Sequence, residues 1–262
     1  MGACSGNRLQ GTGYREKVSQ TLHFAPWTLD SVMRNALVIV AKAPVVGQVK
    51  TRLCPPLSAV EAAGLFRCFL ADTAARACTM PEAQVCLAFT PAESEDFFRT
   101  LLPFPLRYLP QRGNSLGERL INIFSDLLDE GFTHVVIMDS DSPTLPMAYV
   151  QAAFTLLGDA KHDAVFGPCN DGGYYLVGAR AVHRQLFENI TWSTSAVLTE
   201  TLEQARLHRL SIALLPPWYD VDNGADLHKL AAELGQLGDS DGVPRTRAFL
   251  TQLGLYPEDR RP

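Results

Sequence analysis

Two alternating pairs of carboxylates, Asp139-Ser140-Asp141 and Asp220-Val221-Asp222, each stand shortly after an apolar run. In extended backbone the two members of such a pair share a side. Hard oxygen donors at the carboxyl end of a strand suit a magnesium or manganese ion carrying a phosphorylated substrate. A further acid, Asp171, precedes Gly172 and Gly173, which tolerate positive φ, so its carboxylate can face a cleft at no steric cost. Opposite charge is supplied by the segment 42–53, where Lys42, Lys50 and Arg52 surround Pro44 and Gly47. Such a loop can hold phosphates, with Gly47 admitting close backbone approach and Lys50 and Arg52 supplying charge. Each feature also has a purely structural use. An Asp-Ser-Asp turn can cap a helix, a basic loop can be solvated, and Asp-Gly-Gly can close a hairpin. Neither the Gly-x-x-x-x-Gly-Lys-Ser/Thr spacing of a P-loop nor a Rossmann Gly-x-Gly-x-x-Gly is present.

The elements that must position these groups can be read from periodicity. The run 36–41, apolar and β-branched, fits a central strand buried on both faces and leads into the basic loop. The run 135–138 is another strand, stopped at Asp139 and barred from continuing by Pro143 and Pro146. Between them the spacing predicts a helix over 59–78 opened by a Ser58–Glu61 capping box, and a strand over 85–89. A short helix opened by Thr90-Pro91-Ala92-Glu93 and a strand over 106–109 come next. The glycine loop from Gln111 to Gly117 enters a helix through a second box, Ser115 to Glu118, and that helix ends at Gly131. Farther on we expect a helix near 147–157, strands at 164–166 and 174–177, a helix over 195–208 and a strand over 210–214. Closing helices would cover the sheet with Leu227, Leu230, Leu237, Phe249 and Leu250.

Bulk properties narrow the classes. The 262 residues, 47% hydrophobic and 19% charged, suffice for one large α/β domain, expected over 34–255. Residues 1–33, polar and without periodicity, are expected to be a disordered extension, and 256–262 a tail. A net charge of −5 leaves no footprint for duplex nucleic acid or an anionic membrane, and no apolar run has the length of a membrane span. The six cysteines show no Cys-x-x-Cys spacing, which fits free thiols in a reducing cytoplasm.

Six motifs in order carry a resemblance: Lys42-Ala-Pro-x-x-Gly-x-Val-Lys-Thr-Arg-Leu53, Gly113-x-x-Leu-Gly-Glu-Arg-Leu120, Asp139-Ser-Asp-Ser-Pro-Thr-Leu-Pro146, Asp171-Gly-Gly-Tyr-Tyr-Leu176, Trp192-Ser-Thr and Asp220-Val-Asp222. Over about 220 residues the chain resembles a bacterial glycosyltransferase-like family of the nucleotide-diphospho-sugar transferase superfamily, related to molybdenum cofactor guanylyltransferase and phospholactate guanylyltransferase. The resemblance implies the GT-A fold, a Rossmann-like, mixed but mainly parallel sheet flanked by helices. It implies a Mg2+ or Mn2+ ion held by Asp141 and Asp222, with Asp139 and Asp220 as the other members of the pairs. Ala41, Lys42, Ala43, Pro44, Lys50, Arg52, Gly113, Asp139 and Ser140 would meet the nucleotide. Lys50 and Arg52 would also stabilise the leaving diphosphate, and Asp171 would serve the acceptor as general base. The partners would be a nucleotide-sugar or a nucleoside triphosphate and a small-molecule acceptor. Ala43-Pro44 stands where related nucleotidyltransferases carry glycine-rich sequence. Glycosyl transfer from a nucleotide-diphospho-sugar, nucleotidyl transfer from a triphosphate, and nucleotide binding without catalysis all remain open at this point.

Overall fold

The computed structural model describes residues 1, 2, 34–80, 82–237 and 242–255. The chain divides into a unit Met1–Val32 and a unit Met33–Pro262, and every element described below belongs to the second. The extension expected over 1–33 lies outside the described residues, apart from residues 1 and 2, as does the tail over 256–262.

The first apolar run forms β1 (Asn35–Lys42). Because successive side chains point to opposite faces, Leu37 and Ile39 enter one core while Ala36 and Val38 enter another. β4 (His134–Met138) repeats the pattern, with Val136 and Met138 on one side and Val135 and Ile137 on the other. That is why both read as unbroken apolar runs. Around them lie β2 (Ala83–Thr90), β3 (Arg107–Pro110), β5 (Ala164–Pro168), β6 (Tyr174–Ala179) and β7 (Ile212–Leu214). The sheet order is β3-β2-β1-β4-β6-β5-β7, with β6 antiparallel to its neighbours and the other strands parallel. The mainly parallel, mixed sheet is the one expected. Its polarity brings the ends of β1, β2, β3, β4, β5 and β7, and the start of β6, to one edge.

Helices α1 (Ala59–Ala77), α4 (Met147–Gly158), α6 (Gly224–Leu237) and α7 (Pro244–Gln252) contribute to the larger core. α3 (Leu116–Asp129) and α5 (Val197–Leu207) contribute to the other, and α2 (Glu95–Leu101) is short. α7 is anchored by Asp72 of α1, a fully buried carboxylate that accepts the N–H groups of Thr246 (2.7 Å) and Arg245 (3.3 Å) at the helix start. None of the described helices is long and apolar enough to cross a membrane.

Four local readings are corrected. Thr90 does not cap a helix: it pairs with Lys42 in the ladder and its carbonyl accepts the Ala43 N–H, so a 3-10 turn intervenes before α2. The Ser115 hydroxyl accepts the Glu118 N–H, but the Glu118 carboxylate takes the N–H of Asn114, because Gly113 (φ 126°) folds the loop back on the first turn of α3. Leu210 belongs to the close of α5, where its N–H returns to the Ala205 carbonyl past left-handed Arg209, so β7 starts at Ile212. Leu237 is exposed at the end of α6, and Leu234 is the buried residue of that turn.

Candidate active site

At the carboxyl edge, Asp139 and Asp141 have separate surroundings. Asp139 turns inward, and its Oδ1 accepts the N–H groups of Asp141 (3.1 Å) and Ser142 (3.2 Å), which folds the chain sharply after β4. Its second oxygen accepts the Ser142 hydroxyl (3.3 Å), and its carboxyl also meets that of Asp220. Burial, and then the neighbouring Asp220 and Asp141, hold the Asp139 carboxyl well above the usual carboxylate range. Burial raises Asp220 as well, against the opposing pull of hydrogen bonds from the Cys169 thiol (3.1 Å) and the Ser142 hydroxyl (2.8 Å). Both carboxyls of the Asp139–Asp220 pair are thus held above the ordinary aspartate range, Asp139 the more strongly. Burial, and then Asp220, push the Cys169 thiol up, and it donates to Asp220.

The segment 220–222 is pinned by the Val221 N–H, which donates to the Asp141 carbonyl at 3.0 Å, with the Val221 side chain fully buried. As alternation predicts, Asp220 and Asp222 converge. Oxygens of Asp171, Asp220 and Asp222 lie within 4.8 Å of one another. Asp171 is exposed at the tip of the β5–β6 hairpin and accepts the Gly173 N–H (2.9 Å), so the turn geometry and the exposed acid occur together. Gly172 is confined by the Ser195 carbonyl, 2.1 Å from where a Cβ would stand.

The basic loop reaches this edge from β1. Lys50 has left-handed backbone (φ 48°), and its ammonium lies 2.7 Å from Asp141 Oδ1 and 2.8 Å from Asp222 Oδ1 with the side chain only 5% exposed. Burial alone would lower its pKa, but the two carboxylates outweigh that and hold it above the ordinary lysine value. Lys42 closes the loop by donating to the Gln48 carbonyl (3.1 Å), while Arg52 is exposed on the wall. A cleft of about 400 Å3 is lined jointly by this loop and by Asp139, Asp141 and Asp222.

Of the residues expected in the site, Ala41, Lys42, Lys50, Arg52, Asp139, Ser140, Asp141 and Asp222 line the cleft. Asp171 and Asp220 stand beside Asp222 instead of on the cleft wall. Ala43 and Pro44 are buried under the loop, and Gly113 packs on α3, so these three do not border the cleft. Arg119 and Gln111 were not singled out, yet both line it. Arg119 is in the first turn of α3, where its Nε holds the Gly113 carbonyl (3.1 Å), and Gln111 donates its side-chain amide to the Ala88 carbonyl (2.7 Å). Their signal was the position of the Gln111–Leu120 motif, at a strand end running into a helix start. The start of α3 is fixed by Gly117, where an added Cβ would lie 2.3 Å from the Phe187 carbonyl oxygen and 3.0 Å from Trp192 Nε1.

The donor set fits a hard divalent ion. Asp141 and Asp222 each present an oxygen to the Lys50 ammonium, and Asp222 also gathers with Asp171 and Asp220 in a second group of three carboxylates.

The family of uncharacterised proteins conserved in bacteria, DUF2064, matches residues 73–194. A provisionally named nucleotide-diphospho-sugar transferase from Desulfovibrio desulfuricans G20 is 31% identical, with 86% of this chain and 99% of that one covered and a TM-score of 0.76. CMP:2-keto-3-deoxy-manno-octonic acid synthetase, in a structure complexed with CTP, is similar in fold at 14% identity, 78% and 99% coverage and a TM-score of 0.52. No curated protein matches the sequence. On the sheet order, the site motifs and the 31% identity along nearly the whole of the Desulfovibrio protein, the chain belongs to the same family as that protein, with the nucleotide-diphospho-sugar transferase fold, and carries the DUF2064 match in its middle part.

Proposed function

We propose that the protein is a metal-dependent glycosyltransferase that takes a nucleotide-diphospho-sugar as donor and a small molecule as acceptor. The observation that carries this reading is one cleft lined by the carboxylates Asp141 and Asp222 together with the cations Lys50, Arg52 and Arg119. A nucleoside diphosphate needs both kinds of group, cations against its oxygens and carboxylates for the ion that accompanies it. Arg52 and Arg119 bind the phosphates, while Ala41, Ser140 and Gln111 border the same space at the ends of β1, β4 and β3. Asp141 and Asp222 would hold Mg2+ or Mn2+, with Asp220 and Asp171 beside them. The bound ion would neutralise charge developing on the leaving diphosphate. Asp139 has a supporting part, keeping the turn closed and Asp220 in place. Asp171, exposed next to Asp220 and Asp222, takes the proton of the acceptor hydroxyl. Ala43 and Pro44 stand, buried, where related nucleotidyltransferases carry glycine-rich sequence, and this departure favours glycosyl over nucleotidyl transfer. The described cysteines, all free, support a cytoplasmic setting.

The protein is incubated with Mn2+, acceptor mixtures and either labelled UDP- and GDP-sugars or labelled nucleoside triphosphates. Release of nucleoside diphosphate from a sugar donor is the expected result. Release of pyrophosphate from a triphosphate would replace this reading with nucleotidyl transfer, and tight nucleotide binding without turnover would replace it with a binding role.

A further inference from the structure

The point between Asp141 and Asp222 is already held by a cation of the protein's own. The Lys50 ammonium makes short contacts to one oxygen of each carboxylate, at 2.7 and 2.8 Å, and almost no solvent reaches it. A doubly charged ion at the same oxygens would face a third positive charge at contact distance, so both cannot stay there. Lys50 has left-handed backbone at the start of the 51–53 turn, which aims its side chain at the two carboxylates. Because Lys50 also lines the cleft shared with Arg52 and Arg119, a displaced ammonium has phosphate oxygens to go to once a donor is bound.

We propose that the Lys50 ammonium and the divalent cation are alternative occupants of the gap between Asp141 and Asp222, so that cation entry transfers Lys50 from the carboxylates to the diphosphate of the donor. This rests on the metal reading above. Lys50 then makes cation and nucleotide binding mutually reinforcing. Without nucleotide the ion must evict an ion pair with nowhere else to go; with nucleotide the evicted ammonium is paired again.

Mn2+ binding to the full chain is measured by electron paramagnetic resonance, with and without UDP or GDP, in the wild type, Lys50→Met and Arg52→Met. Lys50→Met is expected to bind Mn2+ alone about tenfold or more tightly than wild type, and Arg52→Met, which removes an equal charge nearby, less than about threefold. UDP or GDP should raise Mn2+ affinity strongly in the wild type and weakly in Lys50→Met. Unchanged or weaker Mn2+ binding by Lys50→Met, or equal tightening in the two variants, overturns the proposal. If Asp141→Asn abolishes the nucleotide-dependent Mn2+ binding of the wild type while Lys50→Met shows no tightening, the metal site stands and the competition falls. If Mn2+ binding ignores Asp141 in every form, both fall. Should Lys50→Met fail to fold, the 13Cε signal of Lys50 in the wild type decides: it must move when Mg2+ and UDP are added together, and a stationary signal overturns the proposal.

Discussion

The backbone N–H of Val221 donates to the carbonyl oxygen of Asp141 across 3.0 Å, tying the end of β4 to a segment eighty positions later in the chain. That bond, with the Val221 side chain buried behind it, fixes the distance at which Asp141 and Asp222 face Lys50. The two acids are therefore set by backbone and not by flexible side chains alone, which is how a site keeps its geometry when its charges change.

If these two carboxylates hold the ion, neutralising either should cost metal and spare the fold. Asp141→Asn and Asp222→Asn, each measured by calorimetric titration of Mn2+ in the presence of UDP or GDP, should weaken the ion by about tenfold or more. Both variants should stay folded with a somewhat lower melting temperature, since asparagine keeps an acceptor oxygen for the buried Lys50 ammonium but removes the charge. Unaltered Mn2+ affinity in both would remove the pair from the metal site.

The basic side chains make a separate claim. Arg52 and Arg119 line the cleft without bridging the two acids, so their loss should fall on phosphate recognition. Arg52→Ala and Arg119→Ala should each weaken UDP or GDP by about 1.5–3 kcal/mol, the worth of a charge-assisted hydrogen bond, while uridine or guanosine binding shifts by less than about 0.5 kcal/mol. Equal losses for nucleotide and nucleoside would place the two arginines elsewhere.

Much of this site could be read from the chain because its signals are local. An apolar run broken by acid and proline marks β4 and its edge, a glycine-bearing basic segment after β1 marks the opposite wall, and alternation alone brings Asp220 and Asp222 together. What was not legible depends on contacts between distant residues. Spacing alone does not separate Asp139 from Asp141; the resemblance ranks Asp141 first, and the inward turn that buries Asp139 beside Asp220 gives the physical reason. Nothing around Lys50 says that its ammonium lies between two acids from β4 and from the segment after β7. Asp72 reads as a polar break in the apolar face of α1 until α7 is seen to be capped by it. Arg119 stands in the Gly113–Leu120 motif, but nothing in that spacing says its side chain reaches the cleft.

The buried Asp139–Asp220 pair predicts a pH dependence whose sign follows from the raised Asp139. In the unfolded chain Asp139 ionises near the ordinary aspartate value, whereas in the fold it keeps its proton to a higher pH. The folded state thus binds the extra proton, and stability is complete below the unfolded pKa and is lost as pH rises toward the folded one, by up to about 1.4 kcal/mol per pH unit. Asparagine resembles the protonated acid: its oxygen can accept from Asp141 and Ser142 while its amide donates to Asp220. Asp139→Asn should therefore flatten the slope, and its stability relative to wild type should grow as pH rises above the ordinary carboxylate range. Urea unfolding across pH, without divalent ions, checks this, and parallel curves for the two proteins would show that Asp139 is ionised in the fold.

Gly117 links the fold to the site. A Cβ there would stand 2.3 Å from the Phe187 carbonyl oxygen and 3.0 Å from Trp192 Nε1, so the first turn of α3 must move away from the 187–192 segment or distort it. Gly117→Ala should destabilise the protein by about 1–3 kcal/mol, as overpacking does, despite the better helix propensity of alanine. The displaced turn carries Arg119, so UDP or GDP affinity should fall along with stability. Gly235 of α6 has nothing within 4 Å of its added Cβ and no positive φ, so Gly235→Ala is the matched control. It should stabilise by about 0.5–1 kcal/mol and leave the nucleotide affinity alone. Thermal melts and nucleotide titrations of the two variants give opposite signs if the close approach at Gly117 positions the cleft wall; a Gly117→Ala protein as stable and as avid as the wild type would show that the wall does not depend on it.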